Sequence, residues 1–260
     1  MLKEFRAAQL PAVERLRALE KAGILPPPHP APRPPFAARL SGKGAIIAEY
    51  KRASPSAGPL NLAVSPEEMA YAYAAGGAAA ISVLTEERHF QGRLAYLERM
   101  SAPGLPLLRK DFLIHPLQVR ETAATPASSL LLIVRLLQAG ELTAMLLAAQ
   151  AAGLEAVLEI FDSADLWQAR RALADTGTSP AVIQVNSRDL RTLAVDAALA
   201  RALIRRREPG EIWISASGVH CREEVEERRD LGFNAILIGS CLMSAPDPRA
   251  ALAALAGGGP

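Results

Sequence analysis

The sequence predicts a single closed (β/α)8 barrel, an α/β fold, with an N-terminal helical extension. Three observations carry that expectation. Eight short apolar runs recur from residue 44 onward, about 25 to 35 residues apart, which leaves room for one strand, one helix and two loops per unit. The runs are continuous rather than alternating, as strands of a parallel sheet are when both faces are covered. Eight such units in one domain-sized chain fit a closed barrel. A doubly wound open sheet is the alternative. It is weakened because no run is followed by G-x-G-x-x-G or by G-x-x-x-x-G-K-[ST].

Residues 1 to 22 read as a helix, with apolar residues at helical spacing and Arg and Glu between them. The next stretch, PPPHPAPRPP at 26 to 35, excludes helix and interior strand, because proline fixes φ and lacks the N–H donor. It reads as a stiff extended connector, with a PxxP ligand for a partner as the alternative. Residues 1–36 are thus expected as a helix and connector over the barrel mouth, and residues 37–260 as the barrel. The eight runs are GAIIAE (44 to 49), AAAISVL (78 to 84), LPLLRK (105 to 110), SLLLIV (129 to 134), EAVLEI (155 to 160), AVIQVN (181 to 186), EIWISA (211 to 216) and AILIGS (235 to 240). The helices between them carry end signals. Ser65 caps a helix opened by Pro66, Glu67 and Glu68. Asp162 opens and Gly177 closes another, and Gly232 closes a third that starts near Cys221.

Bulk properties exclude several function classes. The net charge is +2, too small to imply nucleic-acid or membrane binding. The densest basic stretch, RALIRRREPG at 201 to 210, reads as a solvated helix end before a glycine turn rather than an RNA-binding patch. Cys221 and Cys241 give no disulfide framework and fit a reduced, cytoplasmic setting. The four histidines, His29, His89, His115 and His220, lie far apart and none pairs with a cysteine at metal-ligand spacing, so no metal is expected. No apolar run reaches the roughly 18 residues of a membrane span. The N-terminus lacks the apolar stretch of a signal peptide.

Polar residues cluster where the runs end. Glu49 and Lys51 follow the first run, Ser82 lies near the end of the second, and Lys110 ends the third. Glu159 lies near the end of the fifth, Asn186 and Arg188 at the sixth, and Ser215 and Ser217 at the seventh. In a barrel these ends emerge at one rim, where barrel active sites lie. Residues i and i+2 share a strand face, so Glu49 and Lys51 can lean over the mouth together and meet Lys110 and Glu159. Two acids and two lysines in a partly dry pocket perturb one another and become usable as general acids and bases. The alternative is a pair of structural ion pairs closing the barrel top. The turns SASGVH and LIGSCLM, after runs seven and eight, suit a phosphate held by backbone N–H groups. They imply a phosphorylated small-molecule substrate.

With these residues placed, the chain resembles the indole-3-glycerol phosphate synthase family of tryptophan biosynthesis. The motifs are IIAEYKRASPSAG, ISVLTEERHFQG, LPLLRKDFLIHPLQ, LLIVRLL, VLEIFD, NSRDLRTL, ISASGV and LIGSCLM. The resemblance implies a cofactor-free carboxy-lyase. It closes the ring of 1-(2-carboxyphenylamino)-1-deoxyribulose 5-phosphate with loss of carbon dioxide and water. It implies Lys110 as the acid that protonates the ribulose carbonyl oxygen, with Lys51, Glu49 and Glu159 serving the dehydration in an order left open. Asn186 and Ser217 complete the catalytic set. Ser54, Ser82, Phe90, Phe112 and Arg188 are implied to bind substrate, and Gly218, Gly239 and Ser240 its phosphate. A monomer or weak homodimer, no nucleic-acid partner and no membrane partner complete the expectation.

The chain departs from the family pattern in places. Ala216 stands where the family usually has a glutamate, Ser187 replaces an asparagine, Ala57 a lysine, and Phe161 a frequent histidine. TAATPASS at 122 to 129 replaces a Gly-Ala-Asp-Ala type turn. Ala216 leaves Glu86 and Asp111 as candidate substitutes for the missing carboxylate. The departures keep two alternatives open: a diverged paralogue acting on a related arylamino sugar phosphate, and a non-catalytic relative that binds a phosphorylated ligand. Phosphoribosylanthranilate isomerase shares the barrel and phosphate loops. It wants a Cys and Asp pair at its strand ends, and Cys221 and Cys241 are wrongly placed for that.

Overall fold

A computed structural model of the protein describes residues 2–54, 58–61, 63–188 and 194–257. Eight parallel strands close into a barrel, each hydrogen-bonded to its neighbours in the chain, with the first and last joined. They are β1 (Ala45–Tyr50), β2 (Ala80–Leu84), β3 (Leu107–Lys110), β4 (Ser129–Ile133), β5 (Glu155–Ile160), β6 (Val182–Asn186), β7 (Ile212–Ala216) and β8 (Ala235–Ile238). Each lies inside one of the eight apolar runs or overshoots it by a single residue, and the closure excludes the open sheet. The last run stops short as a strand. Gly239 leaves extended geometry and Ser240 opens the short helix Ser240–Met243. A two-stranded hairpin, Ala53–Ser54 with Gly58–Pro59, follows β1.

Alternation along each strand sorts the core. In β1, Ile46, Ala48 and Tyr50 pack outward with Met69 and Tyr73 of the helix Pro66–Ala75. Ile47 belongs to the cluster that fills the interior, and Glu49 comes next on that face. The expected caps are present. Ser65 and Glu68 form a reciprocal capping box, and Asp162 accepts from Asp165 N–H at the start of Ser163–Thr176. Gly177 and Gly232 take left-handed backbone near helix ends.

The N-terminal helix spans Leu2–Lys21. Its buried residues, Phe5, Gln9, Val13 and Leu16, follow helical spacing, and Pro11 sits on the exposed side. The proline-rich connector is extended and tied to the barrel. His29 N–H donates to Ala123 O at 2.8 Å, and the Arg33 guanidinium donates to the carbonyls of Ala123 and Thr125. After it, the helix Phe36–Arg39 is capped from the start of β5. Glu155 accepts the N–H groups of Phe36 and Ala37 at 2.7 and 2.8 Å. The basic stretch after residue 201 is a helix end before Gly210, as expected of a solvated terminus.

Glu155→Ala leaves two helix-terminal N–H groups without their carboxylate. The unfolding free energy should fall by about 2 kcal/mol, read as a lower urea midpoint with an unchanged m-value.

Candidate active site

The C-terminal ends of the strands surround an open cavity of about 1130 Å3. Its polar centre is Glu49. The carboxylate is 5% exposed, and its backbone carbonyl accepts the Tyr73 hydroxyl at 3.0 Å from the outer layer. Lys51 Nζ lies 3.0 Å from Glu49 Oε1 and Lys110 Nζ 3.8 Å from Oε2. Lys51 Nζ also donates to Ser240 Oγ at 3.2 Å, which ties the end of β1 to the turn after β8. Burial pushes the Glu49 carboxyl up, but the ammonium charges of Lys51 and Lys110, a hydrogen bond from Lys51 and the charge of Arg188 outweigh it. The result lies below the ordinary carboxylate value. The pairing therefore stabilises the fold above the ordinary value and is lost as pH falls through the lowered one.

Gly239 makes room for this carboxylate. A Cβ built there would lie 2.6 Å from Glu49 Oε1 and 3.1 Å from its Cβ. Gly218 has φ +76, and a Cβ would lie 2.5 Å from Val195 Cγ1. Beside it Ser217 also adopts a left-handed backbone, with φ 71, and its Oγ donates to Asn186 Oδ1 at 2.9 Å. That same oxygen accepts Arg188 N–H at 3.0 Å, so one side chain joins the ends of β6 and β7.

Across the barrel, Glu159 is 2% exposed and accepts Gln184 Nε2 at 2.5 Å. Ala216 lines the cavity and is 2% exposed, so the family glutamate is replaced by a methyl facing the site. Neither proposed substitute takes its place. Glu86 does not line the cavity. It caps the helix Glu87–Phe90, accepting the N–H groups of Arg88, His89 and Phe90. Asp111 lines the cavity, but both its oxygens are engaged. Oδ1 accepts Gln9 Nε2 at 3.1 Å and Phe112 N–H at 2.8 Å. Oδ2 accepts Thr85 Oγ1 at 2.6 Å and Arg109 Nη2 at 3.2 Å.

An aromatic wall faces the charges. Phe5 of the N-terminal helix stacks on Phe112 with centroids 4.0 Å apart, meets the His89 ring edge-on at 4.9 Å, and leaves Phe90 tilted against Phe112 at 6.2 Å. Gln9 holds that helix in place, since its Oε1 accepts Gln118 Nε2 at 2.8 Å while its amide donates to Asp111.

Every catalytic, substrate-binding and phosphate-binding residue implied by the resemblance lines this cavity, with one exception. Ser82 does not. It is fully buried and its hydroxyl has no partner among the described residues. The reason is register: Ser82 is the Cα partner of Glu49, but β2 continues to Leu84, and Leu84 takes the cavity position. Ser215, also read as a rim residue, is one position out of phase with Ala216 and is buried away from the cavity. Ser187 is buried likewise. Phe161 packs under the Arg135 guanidinium, 4.4 Å from its ring centroid. Ala57, and the residues after Arg188 in the NSRDLRTL motif, lie outside the described residues. Phe5 and His220 line the cavity without having been singled out. For Phe5 the signal was available in the apolar face of its helix.

A closed barrel with paired acids and lysines at its C-terminal mouth defines the class, a (β/α)8-barrel enzyme. Residues 21–255 match the family model for indole-3-glycerol phosphate synthase, and the chain belongs to that family. An indole-3-glycerol phosphate synthase of Carboxydothermus hydrogenoformans is 42% identical over 217 residues, covering 82% of this chain and 80% of its own. One from a Roseiflexus species is 42% identical over 251 residues, covering 92% and 88%. Among solved structures, a 3-hexulose-6-phosphate synthase matches with a TM-score of 0.61 at 16% identity, over 82% of this chain and 99% of that one. That likeness shows the barrel fold alone. No helix among the described residues is long and apolar enough to cross a membrane.

Two outcomes are expected. Lys51→Met removes the largest of the lowering charges on Glu49. The carboxyl should then titrate at higher pH than in the unaltered protein, followed by 13C NMR of labelled glutamate. Gly239→Ala should displace the Glu49 carboxylate, lowering kcat by about tenfold or more, as a displacement near 1 Å does, and lowering the unfolding midpoint as its pairing with the lysines loosens.

Proposed function

We propose that this chain makes indole-3-glycerol phosphate from 1-(2-carboxyphenylamino)-1-deoxyribulose 5-phosphate, with loss of carbon dioxide and water. Membership of the family supports this reading, and one observation carries it. Two lysines bracket a buried, ionised Glu49 in the same cavity as Glu159, opposite an aromatic wall. Each part matches a demand of the reaction. Ring closure builds negative charge on the ribulose carbonyl oxygen, and the Lys110 ammonium, held at the cavity by Glu49, supplies its proton. Phe90 and Phe112 flank the aryl ring, with Ser54 beside it. Arg188 holds the substrate carboxylate until it leaves as carbon dioxide. The backbone around Gly218, Gly239 and Ser240 takes the phosphate.

The missing glutamate at position 216 narrows the catalytic carboxyls to Glu49 and Glu159, because Asp111 is fully engaged elsewhere. The helix bearing Phe5 forms one wall of the cavity, and we assign residues 1–36 the role of a lid. The reaction calls for no cofactor. A cytoplasmic location suits Cys221 and Cys241, both free thiols, and a monomer or weak homodimer suffices because the site is built within one chain.

Lys110→Ala tests the reading. Indole fluorescence should show kcat lowered by about 10²–10⁴-fold, the range for loss of a general acid, with far-UV circular dichroism and thermal midpoint retained. Near-normal turnover in this variant would remove Lys110 from its role.

A further inference from the structure

The two catalytic carboxyls have opposite kinds of partner. Glu49 is held by two ammonium groups, whose charges favour its ionised form. Glu159 is held by an amide. Gln184 is its Cα partner on the adjacent strand, has no exposed surface, and donates Nε2–H to Glu159 Oε2 at 2.5 Å. The amide oxygen, Gln184 Oε1, is buried and has no partner among the described residues. Asn186 lies two residues later on β6, and two of the other neighbours are aliphatic. Val182 lies two residues earlier on β6, and Ile214 is the Cα partner on β7. An unpaired buried acceptor destabilises a fold, which an aliphatic side chain in that place would avoid. Packing alone does not account for an amide there.

Its chemistry does. An amide matches a carboxyl in both protonation states: its N–H donates to the carboxylate, and its C=O accepts the O–H of the neutral acid. The unpaired Oε1 is the acceptor a protonated Glu159 needs. We propose that Gln184 is a positioning residue that lets Glu159 take up and release a proton during turnover. Glu49, between its lysines, stays ionised. The assignment rests on the reaction proposed above and divides its dehydration between the two acids. The proton leaving the cyclised intermediate goes to Glu159, and the electrons of the broken bond form the new indole double bond. The hydroxyl departs as water with a proton from a lysine ammonium. Neutral Glu159 is then bonded to Gln184 Oε1 until its proton returns to that lysine through solvent.

The test is Gln184→Met, which keeps the volume and removes both donor and acceptor. Steady-state turnover is measured in H2O and D2O beside the unaltered enzyme. The proposal expects kcat to fall ten- to a hundredfold, KM to change less than threefold, and the solvent isotope effect on kcat to rise as proton transfer becomes limiting. A fall in kcat with an unchanged isotope effect would mean packing only and would overturn the proposal, as would a rise in KM alone or no change. Should Gln184→Met fail to fold, the same measurement on Gln184→Asn and Gln184→Ala decides. The shorter amide should retain more activity and a smaller isotope effect than alanine, and equal losses would overturn it. An unaltered enzyme without turnover would instead sink the reaction itself.

Discussion

The structure depends on a carboxylate removed from water and held between two ammonium groups. Burying Glu49 alone would push its carboxyl toward the neutral form, at a cost that unpaired charges do not survive in a protein interior. Lys51 and Lys110 reverse that balance. They come from different strands, so the pair of contacts also fixes the mouth of the barrel: β1 to β3 through Lys110, and β1 to the turn after β8 through Lys51 and Ser240. Gly239 is the space this arrangement needs, and the Tyr73 hydroxyl anchors the strand from outside.

Much of this was legible in the sequence for a physical reason. A parallel barrel strand is buried on both faces, so it reads as an uninterrupted apolar run, and charge is tolerated only where the strand meets the mouth. Glu49, Lys110, Glu159 and Asn186 stand out against such runs. What the runs do not reveal is phase. Ser82 and Ser215 lie within two residues of their strand ends. Ser82 sits below Leu84 on its own strand, and Ser215 is out of step with Ala216 by one residue. Rim position depends on strand length and stagger, which composition does not encode. Partners of a buried polar group are hidden in the same way. Glu86 looks like a free acid in sequence and proves to be a helix cap, while Asp111 proves to be spoken for by four donors. Gln184 sits inside an apolar run, and nothing in the run says that its neighbour is an acid.

The N-terminal helix belongs to the site rather than lying beside it. Phe5 extends the aromatic wall, and Gln9 joins the helix to Asp111 and Gln118 in a buried network whose members are satisfied by one another. Such networks specify one arrangement, because each unmade bond would leave a buried group unpaired. Asp111 directly follows Lys110, so the network that seats the helix also seats the end of the strand carrying Lys110. The change at position 216 falls on the opposite side, where Ala216 lies beside Asn186 in the register. The ion pairs of Glu49 are intact around it, and the site keeps two carboxyls with different partners.

The most direct measurement is turnover of 1-(2-carboxyphenylamino)-1-deoxyribulose 5-phosphate by the purified protein, followed by indole fluorescence, with binding followed by calorimetry. The account expects rapid, saturable appearance of indole-3-glycerol phosphate without added cofactor. Binding without any indole product would contradict it, leaving a barrel with its charges and phosphate turns in place but a different reaction.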